Sequence, residues 1–175
     1  MMTKEEILHN EDQNELKVTE IYYSIQGEST YTGEPCFFIR LTGCNLRCTW
    51  CDTEYGFKGG EEMQIDAIIA ELKRLAPNCK LAEVTGGEPL MQDNCSVLVD
   101  RLLAEGYTVL VETGGSYAIS VISEKAVRIV DVKCPDSGMH HRNDFENMNR
   151  LTRRDEVKFV IASRKDYDWS KTILK

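Results

Sequence analysis

The chain has 175 residues, enough to bury one sizeable core, and reads as a single domain over 1–175. Its 42% hydrophobic and 29% charged residues are those of an ordinary globular domain, and a net charge of −8 argues against non-specific binding to nucleic acid or an anionic membrane surface. No apolar run approaches the roughly 18 residues of a membrane-spanning helix, and the polar start MMTKEEILHNEDQNE is unlike a signal peptide, so the cytoplasm is the expected compartment.

The first fifteen residues are polar and are expected to be partly disordered. LKVTEIYYSIQGE is rich in β-branched and aromatic residues and opens as a strand before a loop at Gly27. PCFFIRLTG is a short apolar run closed by Gly43, the pattern of a buried strand. In MQIDAIIAELKRLAP, Ile65, Ile68, Ile69, Leu72 and Leu75 follow the 3.6-residue period of a helix, and Pro77 lies just beyond. KLAEVTGGEP is a strand running into a glycine pair. DNCSVLVDRLLAEG is a second helix with Cys95, Leu98, Val99, Leu102 and Leu103 on one face, Asp93 or Asn94 as cap and Gly106 just past its end. YTVLVETGG, AVRIVDVKCP and EVKFVIA read as further strands, NDFENMNRLT as helical, and DYDWSKTILK as the start of a helix.

Strands alternating with helices imply an α/β fold with a parallel sheet and right-handed crossovers. In such sheets the ligand site lies beyond the carboxyl ends of the strands. Segments 43–51, 85–89, 112–115 and 133–135 all fall at that rim, and each is rich in Gly, Cys or charge.

Seven cysteines, at 36, 44, 48, 51, 79, 95 and 134, are an odd number. In a cytosolic setting clustered cysteines read as metal-binding or catalytic, not as disulfides. Cys36, Cys79, Cys95 and Cys134 are scattered and read as small buried hydrophobes. Cys44, Cys48 and Cys51 form C-x3-C-x2-C. Three thiolates suit three irons of a 4Fe-4S cube, with the fourth iron open to another ligand. Zinc is the alternative and needs a fourth ligand, for which His9, His140, His141 or a distant cysteine is available. The adjacent His140–His141 pair is a poor chelate, because neighbouring side chains seldom converge.

C-x3-C-x2-C, with Trp50 just before the last cysteine, resembles the signature of the radical S-adenosylmethionine (SAM) superfamily, and TGGEP at 85–89 resembles its second motif. YYSIQGEST, PCFFIRLTGCNLRCTWCDT, VTGGEPL, VETGG and DVKCPDSG together resemble the 7-carboxy-7-deazaguanine synthase family, over about residues 18 to 162. That resemblance implies a partial (β/α)6-type barrel of parallel strands. It also implies a lyase that converts 6-carboxy-5,6,7,8-tetrahydropterin to 7-carboxy-7-deazaguanine with loss of ammonia, in queuosine biosynthesis.

The family's roles, carried to matching positions, make Cys44, Cys48 and Cys51 the cluster ligands and Thr53 a Mg2+ ligand. SAM would lie along Trp50, Cys51, Asp52, Gly86, Gly87, Glu88, Asp131, Val132 and Lys133. The pterin would meet Ile25, Gln26, Gly27, Glu28, Arg40, Thr85 and Glu112, with Arg40 on its carboxylate. Partners implied are an electron donor such as flavodoxin and a second copy of the chain.

Plainer readings stand beside these. QGE is a polar turn, Arg40 a structural ion pair, Thr53 a helix N-cap and Lys133 a surface lysine. Other functions remain open at this stage: a glycyl-radical activase, a zinc module, or a truncated chain that holds a cluster without turnover. The last arises because relatives continue with a further strand and a pocket-closing segment beyond the position matching Lys175.

Overall fold

The computed structural model describes residues 14–174. Of the fifteen residues expected to be partly disordered, 1–13, and with them the His9 alternative, fall outside that range, whereas Glu15 opens the first strand.

Strands β1 (Glu15–Ile25), β2 (Pro35–Leu41), β3 (Glu61–Gln64), β4 (Leu81–Gly86), β5 (Thr108–Thr113), β6 (Val127–Asp131) and β7 (Glu156–Lys158) form one sheet in the order β3-β1-β2-β4-β5-β6-β7. β2, β4, β5, β6 and β7 run parallel, as the alternating pattern predicts. β1 pairs antiparallel with β2 on one side and with β3 on the other, so the sheet is mixed and open, not closed into a barrel. Helices α1 (Ile65–Leu75), α2 (Cys95–Ala104), α3 (Asn147–Arg150) and α4 (Arg164–Ile173) follow β3, β4, β6 and β7.

The long apolar strands are buried on both faces, and each face has its own partner. Phe37, Ile39 and Leu41 of β2, Ala82 and Val84 of β4, and Val109 and Val111 of β5 pack with Ile65, Ile68 and Leu72 of α1 and Leu98, Val99 and Leu102 of α2. A fully buried aliphatic side chain of this size contributes roughly 1.5–3 kcal/mol, so this layer dominates the fold's stability. Residues of opposite parity, Cys36, Phe38, Leu81, Leu110, Val127 and Ile129, form a smaller cluster on the other face. The period of two along a strand divides the two sets.

Three local expectations differ from the structure. Met63 and Gln64 end β3 instead of opening α1, because an edge place beside Leu16 was available to them. Asn94 lies at the cap position of α2, but its side-chain amide donates to Glu15 O at 2.9 Å, tying the helix start to β1. The helical stretch around Asn147 is one turn long. Gly106, at φ +81°, does follow α2.

Candidate active site

The side chains that share a sheet face with Phe38 and Leu110 turn polar toward the carboxyl ends of the strands: Arg40 on β2, Glu83 and Thr85 on β4, Glu112 on β5, Asp131 on β6 and Lys158 on β7. Together with Cys44, Cys48 and Cys51 they line a cleft of about 560 Å³. The four rim segments legible in the sequence do converge. Glu88 N donates to Gly43 O (2.8 Å), Asn45 Nδ2 to Ser116 Oγ (3.0 Å), and Thr49 N to Ser137 O (3.0 Å).

The cysteine loop can leave β2 where it does because Gly43 adopts φ +102°, which L side chains rarely tolerate. Gly87 faces a tighter requirement. A Cβ there would lie 2.2 Å from Gly43 O and 2.7 Å from Cys44 Cβ. Gly87→Ala is therefore expected to push the Gly43–Cys44 backbone away, more than halving the iron retained on anaerobic reconstitution while the fold survives. Iron analysis with circular dichroism checks this; an unchanged iron load would show that the two loops separate without consequence.

Electrostatically the cleft has a cysteine end and a carboxylate end. Burial pushes the Cys44 and Cys48 thiols up. Opposing it, the Leu46 N–H points at Cys44 Sγ at 3.3 Å, and the Lys133 charge acts on both cysteines. Lys133 donates to Asp131 Oδ2 at 2.7 Å and its Nζ lies 5.8 Å from the Trp50 ring centroid. Burial disfavours its charge, but Asp131 outweighs that and holds the amine above the usual lysine range. It is a largely buried, paired lysine and not a surface one.

At the other end Lys158 Nζ donates to Glu112 Oε1 (2.6 Å) and to Glu28 Oε2. Gln26 Nε2 donates to Glu83 Oε2. Arg40 makes an ion pair, with Nε donating to Glu20 Oε1 at 2.7 Å, and still lines the cleft; Nη1 donates to Gly86 O at 3.2 Å.

Sixteen of the nineteen residues singled out in the sequence line this cleft: Gln26, Gly27, Glu28, Arg40, Cys44, Cys48, Trp50, Cys51, Asp52, Thr53, Thr85, Gly86, Gly87, Glu112, Asp131 and Lys133. Three fall elsewhere. Ile25 is 57% exposed and outside the lining. Val132 is buried in the helix-side core, where its backbone N–H donates to Lys158 O. Glu88 is wholly buried, and its carboxylate accepts from Leu90 N (3.0 Å), Thr113 Oγ1 (2.8 Å) and Gly114 N (2.8 Å). Where Glu88 was expected to meet SAM, its oxygens are engaged in tying two rim loops together.

Thr53 stands before a short 3₁₀ turn without capping it; its hydroxyl donates to Asp52 Oδ1 at 2.7 Å. Glu83 and Lys158 were not singled out. Each carries the signal that marked Arg40, a charge inside an apolar strand. His140 and His141 lie outside the lining, and among the described residues no three His, Cys, Asp or Glu side chains are arranged to hold a single metal ion.

This fold and cleft define a radical SAM protein, and the family model described as the Radical SAM superfamily matches residues 38–133. The 7-carboxy-7-deazaguanine synthase of Koribacter versatilis is 53% identical over 157 residues, spanning 89% of this chain and 69% of that protein. The synthases of Chlorobaculum tepidum and Thermoplasma acidophilum are 40% and 36% identical, covering 91% and 87% of this chain and 73% of each relative. The crystal structure of QueE from Escherichia coli superposes with a TM-score of 0.80 at 23% identity, over 91% of this chain and 77% of that one. The chain belongs to the 7-carboxy-7-deazaguanine synthase family. Membership in the radical SAM superfamily implies a 4Fe-4S cluster and SAM as cofactors.

Proposed function

We propose that this chain is a lyase that converts 6-carboxy-5,6,7,8-tetrahydropterin to 7-carboxy-7-deazaguanine with loss of ammonia, a step toward queuosine. The observation that carries the reading is one cleft with three free thiols at one end and an arginine with paired carboxylates along the rest. The wall between fits a cofactor of mixed polarity. Trp50 Nε1 and Asp131 Oδ1 are buried and have no hydrogen-bond partner, so a donor and an acceptor stand ready for a bound molecule.

Cys44, Cys48 and Cys51 are the cluster ligands in this reading, and Trp50, Asp52, Gly86, Gly87, Asp131 and Lys133 flank SAM. When bound, the cluster and SAM supply the organic radical that starts the rearrangement. The protein's own work is position and charge. Arg40 offers a planar guanidinium to the substrate carboxylate, while Thr85 and Glu112 offer acceptors to its ring N–H groups. The Thr53 hydroxyl takes Mg2+, which commonly keeps only one or two protein ligands. A flavodoxin-type electron donor, a homodimer and a cytoplasmic setting belong to the same family reading.

The test is anaerobic reconstitution with SAM, Mg2+, a reductant and 6-carboxytetrahydropterin, followed by mass spectrometry. Formation of 7-carboxy-7-deazaguanine supports the reading; its absence from protein with a full iron load overturns it. Thr53→Ala is expected to abolish the stimulation of turnover by Mg2+ while leaving the iron content unchanged. An intact magnesium response in that variant would remove Thr53 from the metal site.

A further inference from the structure

Glu83 has no place in that assignment, yet it lies in the cleft. It sits on the same face of β4 as Thr85, one pleat repeat or roughly 7 Å deeper, with 4% of its surface exposed. Gln26 Nε2 donates to its Oε2, and Gln26 Oε1 accepts from Glu28 N at 3.1 Å. The Gln26 amide is thereby fixed at both ends and 3% exposed, which leaves little of it free to read a ligand. On the other side Glu112 lies on the same sheet face, two residues beyond Leu110, the register partner of Glu83 on β5, and two charged carboxylates there would repel each other. A neutral Glu83 can donate to the Glu112 carboxylate, whereas two charged carboxylates cannot hydrogen-bond to each other. Lys158 Nζ donates to Glu112 Oε1 at 2.6 Å, whereas among the described residues no ion pair reaches Glu83, so the buried Glu83 is the carboxyl that favours the neutral form.

We propose that Glu83 is a positioning residue of this cleft: it anchors the turn at Gln26 through that side-chain amide and orients the Glu112 carboxylate, so that a ring ligand with N–H donors meets an ordered acceptor. The network itself stands on geometry, whereas the choice of a pterin-like ring rests on the function proposed above.

Burial and the neighbouring Glu112 push Glu83 up to about 8. The ionisable groups facing it are Tyr22 from β1, Glu28 from the following loop, Cys36 from β2 and Glu112 from β5, with Lys158 of β7 beyond. Burial raises both Tyr22 and Cys36, the latter to about 12, and both stay neutral. Lys158 is held above the usual lysine range by Glu112 and Glu28. With its carboxyl pushed up to about 8, Glu83 gains its charge between pH 7 and 9. Once ionised, it repels Glu112 and the pair opens.

The decisive experiment is equilibrium dialysis of 6-carboxypterin against the anaerobically reconstituted full chain, as wild type, Glu83→Gln and Glu83→Ala. Glutamine imitates the neutral acid, accepting from Gln26 and donating to Glu112. At pH 6.5 Glu83→Gln should bind within about threefold of wild type, and Glu83→Ala at least about tenfold more weakly. The ratio of wild-type to Glu83→Gln Kd should rise to about tenfold at pH 9, the value expected for a group titrating near 8. Taking the ratio cancels ionisation of the ligand itself. A ratio that stays flat with pH, equal binding by Glu83→Ala, or no binding by wild type would each overturn the proposal. Turnover of the tetrahydropterin by wild type is scored separately, so failure of the reaction and failure of the network give different results.

Discussion

Cys48→Ala is expected to leave the chain folded, to lose the 4Fe-4S absorption and most of the bound iron, and to abolish product formation. No other cysteine can take over. Cys36, Cys95 and Cys134 are buried in the fold, their thiols pushed up to about 12, about 12 and about 11. Cys79 lies in a separate depression beside Tyr31 and Lys80. A cluster held by three protein thiolates has no spare ligand, so losing one leaves two irons without protein support. The stability cost should be small, because Cys48 is half-buried in a loop outside both apolar cores. Iron and sulfide analysis, visible absorption and circular dichroism decide the matter, with Cys79→Ser as the control that keeps its cluster. A Cys48→Ala chain that holds a full iron complement would place the metal elsewhere.

The cysteine end of the cleft was legible because its chemistry is local. Three cysteines lie within eight residues, and a glycine pair must sit close to the cysteine loop, so spacing alone carries the signal. The parallel strands β2, β4, β5 and β6 were legible for a similar reason: both faces are largely buried and the runs are mostly apolar, whereas of EVKFVIA only the half-buried Glu156–Lys158 forms a strand. β3 was not, because EEMQ has neither length nor an apolar face and becomes a strand only by pairing with β1.

The carboxylate end depends on which residues of distant strands share a face. Glu83 reaches Gln26, 57 positions away, and Lys158 reaches Glu28 across 130. Nothing in the sequence announces those partners. The parity that puts Glu83 beside Thr85 was available, but the choice of face was not, since both faces of β4 are buried. Glu88 shows the converse. Its motif suggests a ligand contact, whereas its backbone neighbours Leu90 and Gly114 consume the carboxylate, and that is decided by loop packing alone.

Asp155→Ala is expected to destabilise the chain by about 3–5 kcal/mol, the range for removing one partner of a buried ion pair. Arg128, on β6, and Asp155, just before β7, have side chains 2% and 0% exposed. Asp155 accepts from Arg128 Nε (3.0 Å) and Nη2 (2.5 Å), from the Arg128 backbone N–H (2.9 Å), and from Thr152 N (2.7 Å) and Oγ1 (2.9 Å). Alanine leaves the Arg128 guanidinium buried with only Arg150 O at 3.0 Å. Arg128→Met with Asp155→Leu, which removes both charges, should lose much less.

Burial alone would raise the Asp155 carboxyl, but its donors outweigh that and hold it below the ordinary aspartate range. The wild-type contribution is therefore fully present above the unfolded pKa of about 3.9. It is lost as the pH falls from there through the lowered folded value, and Asp155→Ala should lack that acid-side loss. The consequence reaches the cleft because β7 is three residues long and its pairing places Lys158 beside Asp131. A β7 no longer anchored by Asp155 should let Lys158 leave Glu112, raising the KM for the pterin more than it lowers kcat. Urea unfolding at pH 7 and pH 3.5, with steady-state kinetics, measures both effects. A loss below about 1 kcal/mol, or one equalled by the double variant, would show that this ion pair does not anchor β7.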